Sequence, residues 1–280
     1  MNPQPQAPSR FRFLSFAPVT AALVALNVVL FAWEILHGVP LMNPSTWQVL
    51  DWGGNMPLLT LTGDWWRLPA SMFLHIGFVH LGLNMYVLAF TGPRVEWEFG
   101  KTRMLAIYLI GGLLASCASA YWQFARSAAN GQLAGPSAGA SGAIMALFGA
   151  LLAGTLLPPP GVPQAVARRG VDKGLIQVIV LNLGIGFFMQ GVDQAAHVGG
   201  LIGGFAVGAI MAVAPRASGL AATLARYVVA CALLAACLFG LLRGDHTYLM
   251  YRRIQFVQER QEITDAQKAA HDQGRAASGR

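Results

Sequence analysis

Seven apolar stretches, at residues 17–37, 77–92, 104–123, 141–157, 174–190, 195–214 and 222–242, limit what this chain can fold into more than any other feature. A stretch of about 17 to 25 apolar residues can cross the hydrocarbon of a bilayer as a helix. Repeated seven times, the pattern predicts an all-α polytopic membrane protein. Composition points the same way, with 55% hydrophobic and 11% charged residues among 280, which is not the balance of a soluble domain. The first stretch lacks a small-residue cleavage site and reads as a retained anchor rather than a signal peptide.

Lys and Arg in short loops set orientation. With a cytosolic N-terminus, the inner segments collect Arg10, Arg12, Arg94, Lys101, Arg103, Arg168, Arg169, Lys173, Arg216 and Arg226, against Arg67 and Arg126 on the other side. The net charge of +7 is therefore mainly a topological signal. The basic residues form no aromatic-interleaved stripe, so nucleic acid is not an expected partner. Cys117, Cys231 and Cys237 fall within spans with no ligand spacing and read as small apolar fillers.

The opening MNPQPQAPSR is expected to be a disordered cytosolic tail, and residues 38–76, with Trp47, Trp52, Trp65 and Trp66, an interfacial structure, because indole prefers the headgroup region. The tail beyond 243 is expected to begin as an amphipathic helix and then fray. The expected organisation is a cytosolic tail at 1–16, a helical core at 17–214, a seventh crossing with its connecting loop at 215–243, and a polar C-terminal tail at 244–280.

Four polar side chains do not belong in hydrocarbon: Ser141, His197, His80 and Asn84. Such groups are costly unless they face protein or water, which makes a cluster of them a candidate site. Spans two, four and six run in the same direction by parity, which places all four residues in the outer half of the membrane. Span four also looks short: 17 residues give about 25 Å against a core of about 30 Å. Ser141 would then start below the surface, reachable by water through the flexible GQLAGPSAGA run.

A Ser at a helix start is also a common cap, and a lone intramembrane His is commonly structural. Together they can be more, because neutral His is the usual base for a Ser nucleophile. Gly200, Gly204 and Gly208 repeat every four residues, as do Gly142, Ala146 and Ala150. Stripes of this kind let membrane helices touch backbone to backbone. His80 and Asn84 share a helical face and could donate to a developing oxyanion or simply bond to neighbouring helices.

The ordered set WWR, FLHIGFVHLGLNM, GPRVEWEFG, YLIGG, GASG and AHVGG resembles the rhomboid family of intramembrane serine proteases over residues 18–214. The resemblance implies a rhomboid-like six-helix bundle with a seventh C-terminal transmembrane helix. It implies Ser141 as nucleophile and His197 as base, with His80 and Asn84 stabilising the oxyanion. It also implies structural roles for Trp66, Arg67, His75, Glu96, Gly139, Gly142, Gly199, Gly200 and Gly204. Glu96 resembles part of a loop after span two, and Arg67 an anchor of the interfacial segment. Asp193 precedes His197 by four residues, in a loop expected to face water, so no third carboxylate is expected. Met145 stands where some members carry an aromatic that stacks on the catalytic His.

The implied activity is serine-type endopeptidase cleavage of transmembrane protein substrates, with no cofactor and no metal. The implied setting is a multi-pass protein of the bacterial inner membrane with a cytosolic N-terminus. The main rival is a catalytically inactive relative that binds or escorts transmembrane clients. A small transporter is a further rival, but paired broken helices in repeated halves are not apparent to support it.

Overall fold

The computed structural model describes residues 17–157, 173–188, 192–212 and 219–277, and within them every regular element is a helix. The N-terminal tail and the LLPPPG run beyond Leu157 fall outside the described residues. In chain order the helices are α1 (Pro18–Leu36), α2 (Thr46–Asp51), α3 (Pro57–Thr60), α4 (Arg67–Ala70), α5 (Phe78–Phe99) and α6 (Lys101–Asn130). Then come α7 (Ser141–Leu156), α8 (Lys173–Phe188), α9 (Gln194–Ala212), α10 (Leu220–Leu242) and α11 (Thr247–Ala277).

Four of these, α1, α6, α9 and α10, are long and apolar enough to cross a membrane, and α7 and part of α8 are shorter apolar helices. The chain is a multi-pass membrane protein. α5 differs because its C-terminal turns carry Arg94, Glu96 and Glu98. The expected second span ended at 92, but the helix continues through Pro93 to Phe99 and stops at Gly100, whose φ is +85°.

α7 lies at the centre. Nearly every residue from Gly142 to Thr155 is buried, on all faces rather than along one stripe, as a helix wrapped by other helices must be. The small residues explain how neighbours come so close. A methyl group on Gly200 would strike the Gly142 carbonyl, one on Gly204 the Ala146 backbone, and one on Gly208 the Ala150 backbone. The adjoining face of α9 packs on α6, with Gly199 against Ala118 and Gly203 against Leu114. One glycine-rich helix is thus packed into the angle between two others that also touch each other, where lipid would offer no driving force but close van der Waals contact does.

Glu96 lies in the last turn of α5, not in a loop. Its buried carboxylate accepts hydrogen bonds from the Val19 and Thr20 amides, at 3.1 and 3.0 Å, and from the Thr20 hydroxyl at 3.0 Å. α1 has no capping side chain of its own, so Glu96 satisfies the amides that a helix start leaves unpaired and suits the positive end of its dipole. Glu96→Ala should destabilise the fold by about 2 to 3 kcal/mol, because a charged acceptor is lost while the amides stay buried. Thermal unfolding in detergent measures this, and an unchanged midpoint would remove the cap from the account.

The segment between α1 and α5 forms a small second core around Leu50, Leu58, Leu61 and Leu68, shared with Ala120 of α6 and Leu249 of α11. Arg67 holds it together from inside. Its Nη1 donates to the Leu50 and Gly54 carbonyls and its Nε to Asp64 at 3.0 Å, while the guanidinium lies over the Trp66 ring at 4.7 Å.

Candidate active site

The starts of α5, α7 and α9 converge at one end of the bundle. Gly142 packs against Ala115 of α6 and beside Ala196, the residue before His197. Gly139, two residues before Ser141, sits against the His80 ring: a β-carbon there would lie 2.9 Å from His80 Nε2 and 3.8 Å from Ser141 Oγ. Gly139 also has φ +130°, a backbone conformation that side chains rarely adopt. Only glycine meets both demands, of space and of conformation. Ser141, half-buried, opens α7 without capping it through its side chain.

The peptide before Ser141 is fixed from the interfacial segment. Asn55 and Ser137 exchange backbone hydrogen bonds at 2.8 Å in both directions, and the Gly139 amide donates to the Ser71 carbonyl at 2.8 Å. The Asn55 side chain is itself buried between the Ser116 carbonyl and the Thr60 hydroxyl. Because backbone pairing carries almost no residue signature, Asn55, Ser71 and Ser137 leave no motif in the sequence.

His80 Nδ1 accepts from the Ile76 amide at 3.3 Å. In the neutral ring the proton then sits on Nε2, the nitrogen beside Gly139. The ring therefore offers a donor toward the start of α7. His75, buried at 1% exposure, meets the His80 ring edge to face at 5.4 Å between centroids. The Asn84 amide is turned back along its helix, donating to the His80 carbonyl at 2.9 Å. Since an amide NH₂ has two donors, one remains for another acceptor.

His197 is buried in the first turn of α9, with no hydrogen-bond partner for Nδ1 among the described residues. No hydrogen bond joins it to Ser141 among these residues. In unliganded sites such bonds are often long and tighten only on binding. Met145 lies one turn into α7, its Cβ close to where a methyl on Gly200 would point.

Asp193 does not face water as expected. Its carboxylate accepts from the Ser119 hydroxyl, from Gln123 Nε2 at 3.0 Å and from the Ala196 amide at 3.0 Å. The reason is local: the start of α9 has free amides needing an acceptor, and α6 presents two polar side chains beside it. The carboxylate ties α9 to α6 one turn before His197. Among the described residues no cluster of His, Cys, Asp and Glu is suited to hold a metal.

A helical membrane protein with a buried central helix opening on Ser, flanked by imidazoles on two neighbouring helix starts, is the class these features define. A family model described as the rhomboid domain matches residues 62–214. The chain belongs to the rhomboid family of intramembrane proteases. It is 37% identical over 219 residues to the rhomboid protease AarA of Providencia stuartii, covering 74% of this chain and 75% of that one. It is 33% identical over 228 residues to the rhomboid protease GluP of Bacillus subtilis (strain 168), covering 81% of this chain and 41% of the relative. RHOMBOID-like protein 4 of Arabidopsis thaliana is 35% identical over 187 residues, covering 66% and 44% respectively. The aligned part thus spans three quarters of the first relative and less than half of the other two.

Proposed function

We propose that this chain is an intramembrane serine endopeptidase that hydrolyses peptide bonds within or beside transmembrane helices of other membrane proteins. The observation that carries the proposal is the convergence of Ser141, His80 and His197 at the starts of three packed helices, in a chain of this family. In this reading the Ser141 hydroxyl passes its proton to His197 as its oxygen attacks the substrate carbonyl. His197 then gives the proton to the leaving amine, and water hydrolyses the acyl-enzyme with His197 again as base.

The negative oxygen of the tetrahedral intermediate is stabilised by the His80 Nε2 proton, the free N–H of Asn84 and the Ser141 backbone amide. Among the described residues no carboxylate is hydrogen-bonded to the His197 ring, and Asp193 is engaged at the α9 start. The catalytic core is residues 17–214, followed by a seventh crossing in α10, with the site at the outer face and the N-terminus cytosolic. The prokaryotic inner membrane is the proposed location.

Reconstitution in liposomes with a type I membrane protein substrate tests this, comparing wild type with Ser141→Ala and His197→Ala. A fluorophosphonate probe supplies a second reading: labelling of wild type but not Ser141→Ala supports a reactive serine, while an unlabelled, folded wild type would favour a client-binding role. His80→Ala should lower kcat about 10² to 10³-fold, the usual loss for one oxyanion donor, with a smaller change in KM. A loss confined to KM would assign His80 to substrate binding instead.

A further inference from the structure

The C-terminal helix α11 reaches back over the chain and grips the interfacial segment between α1 and α5. Arg253 is the centre of that grip. Its Nη1 donates to the Thr62 carbonyl at 2.9 Å, to the Thr62 hydroxyl at 2.7 Å and to the Leu59 carbonyl at 3.4 Å, and its Nη2 pairs with Asp64 at 3.0 Å. Around it, Phe256 meets Trp47 at 5.0 Å between ring centroids, Leu249 is buried at 1% exposure in the second core, and Arg260 pairs with Asp51. The last pair is half-exposed and contributes little by itself. The fork of Arg253, by contrast, satisfies three oxygens at the end of α3 in a fixed geometry that a flexible ammonium would not reproduce.

These contacts connect to the site by hydrogen bonds joined through short stretches of backbone. Asp64, held by Arg253, is also held by Arg67. Arg67 fixes the carbonyls of Leu50 and Gly54. The next residue, Asn55, pairs with Ser137, and Gly139 is bonded to Ser71 just before Ser141. Burial tends to raise the Asp64 carboxyl, but hydrogen bonds and charge from Arg253 and Arg67 outweigh it and hold the group below the ordinary aspartate range. The shared junction therefore stays ionised at neutral pH.

We propose that α11 is a strap that positions the peptide preceding Ser141 through the interfacial segment, with Arg253 as its positioning residue. Arg253 touches neither Ser141 nor His197, so it acts on the geometry of the 132–139 peptide rather than on chemistry. The catalytic consequence rests on the protease reading above; the mechanical one does not.

The test uses the full chain reconstituted in lipid, as wild type, Arg253→Ala and Arg253→Lys, with thermal unfolding confirming that each is folded. Amide hydrogen exchange is followed at residues 57–64 and 132–139 alongside kcat and KM for a transmembrane substrate. Arg253→Ala should speed exchange in both segments and lower kcat roughly tenfold with KM little changed, since small misplacements of reacting groups are costly. Arg253→Lys, which keeps the charge but loses the planar two-nitrogen fork, should recover part of both effects. Faster exchange confined to 247–277, with 132–139 and kcat unchanged, would overturn the proposal. If wild type itself cleaves nothing but exchange at 132–139 still rises in Arg253→Ala, the strap stands and the protease reading falls.

Discussion

Ser141→Ala is expected to abolish cleavage of a reconstituted transmembrane substrate, a loss on the order of 10³-fold or more, and His197→Ala is expected to do the same. The two should be grossly non-additive, because a nucleophile and its base act as one unit and removing either removes the activated oxygen. The double variant should therefore be no worse than either single one. Two features support the pairing: the half-buried hydroxyl opens α7 without capping it, and α9 brings His197 to the same end of the bundle through the Gly142–Gly200 contact. Quantitative product analysis over a long time course reads the result. Wild-type rates in the Ser141→Ala protein, with the substrate shown to be inserted, would return Ser141 to a purely local role at a helix start.

The largest effect on stability is expected from Gly204→Val. A β-carbon at this position overlaps the Ala146 carbonyl oxygen, Cα and carbonyl carbon, all backbone atoms of α7. A flexible side chain could swing aside; a buried helix backbone cannot, so α9 and α7 must separate. Overpacking of this kind costs about 1 to 3 kcal/mol where the surroundings yield, and two branched methyls against a rigid backbone should reach the upper end or beyond. Separation would also pull His197 away from Ser141, so activity should fall with the midpoint of thermal unfolding. Gly240→Ala is the control, since nothing lies within 4 Å of an added methyl there. That change should be neutral or stabilising by about 0.4 to 1 kcal/mol, through a less flexible unfolded chain. Equal unfolding midpoints for Gly204→Val and Gly240→Ala would mean that the α7–α9 contact does not hold the bundle together.

The helical nature of the chain was legible because each crossing must satisfy its own backbone, which forces long apolar runs into the sequence. The run 17–37 corresponds to α1, 141–157 to α7 and 222–242 to α10, within a residue or two. The four-residue spacing of glycine and alanine was also visible, since small residues facing one another must recur at the helical repeat. What failed to show was the end of α5. GPRVEWEFG carries charge, proline and glycine, all signals of a loop, yet the segment is helical, and its Glu96 carboxylate finds its donors at the start of α1, some seventy-six residues away in sequence. For Asp193 only the Ala196 amide is a local partner; Ser119 and Gln123, which complete its burial against α6, lie some seventy residues away in sequence.

The sequence by itself determined a multi-pass helical protein of the rhomboid family, with a serine at a helix start and histidines on two other helices. Spacing and side-chain chemistry carry that much, because they act over one or two turns. Only the tertiary structure decided which polar groups meet. The Asn55–Ser137 pairing runs through backbone atoms that every residue possesses, and Arg253 reaches Thr62 and Asp64 across some 190 positions. Contacts of that range depend on how the helices pack, and packing is a property of the whole chain.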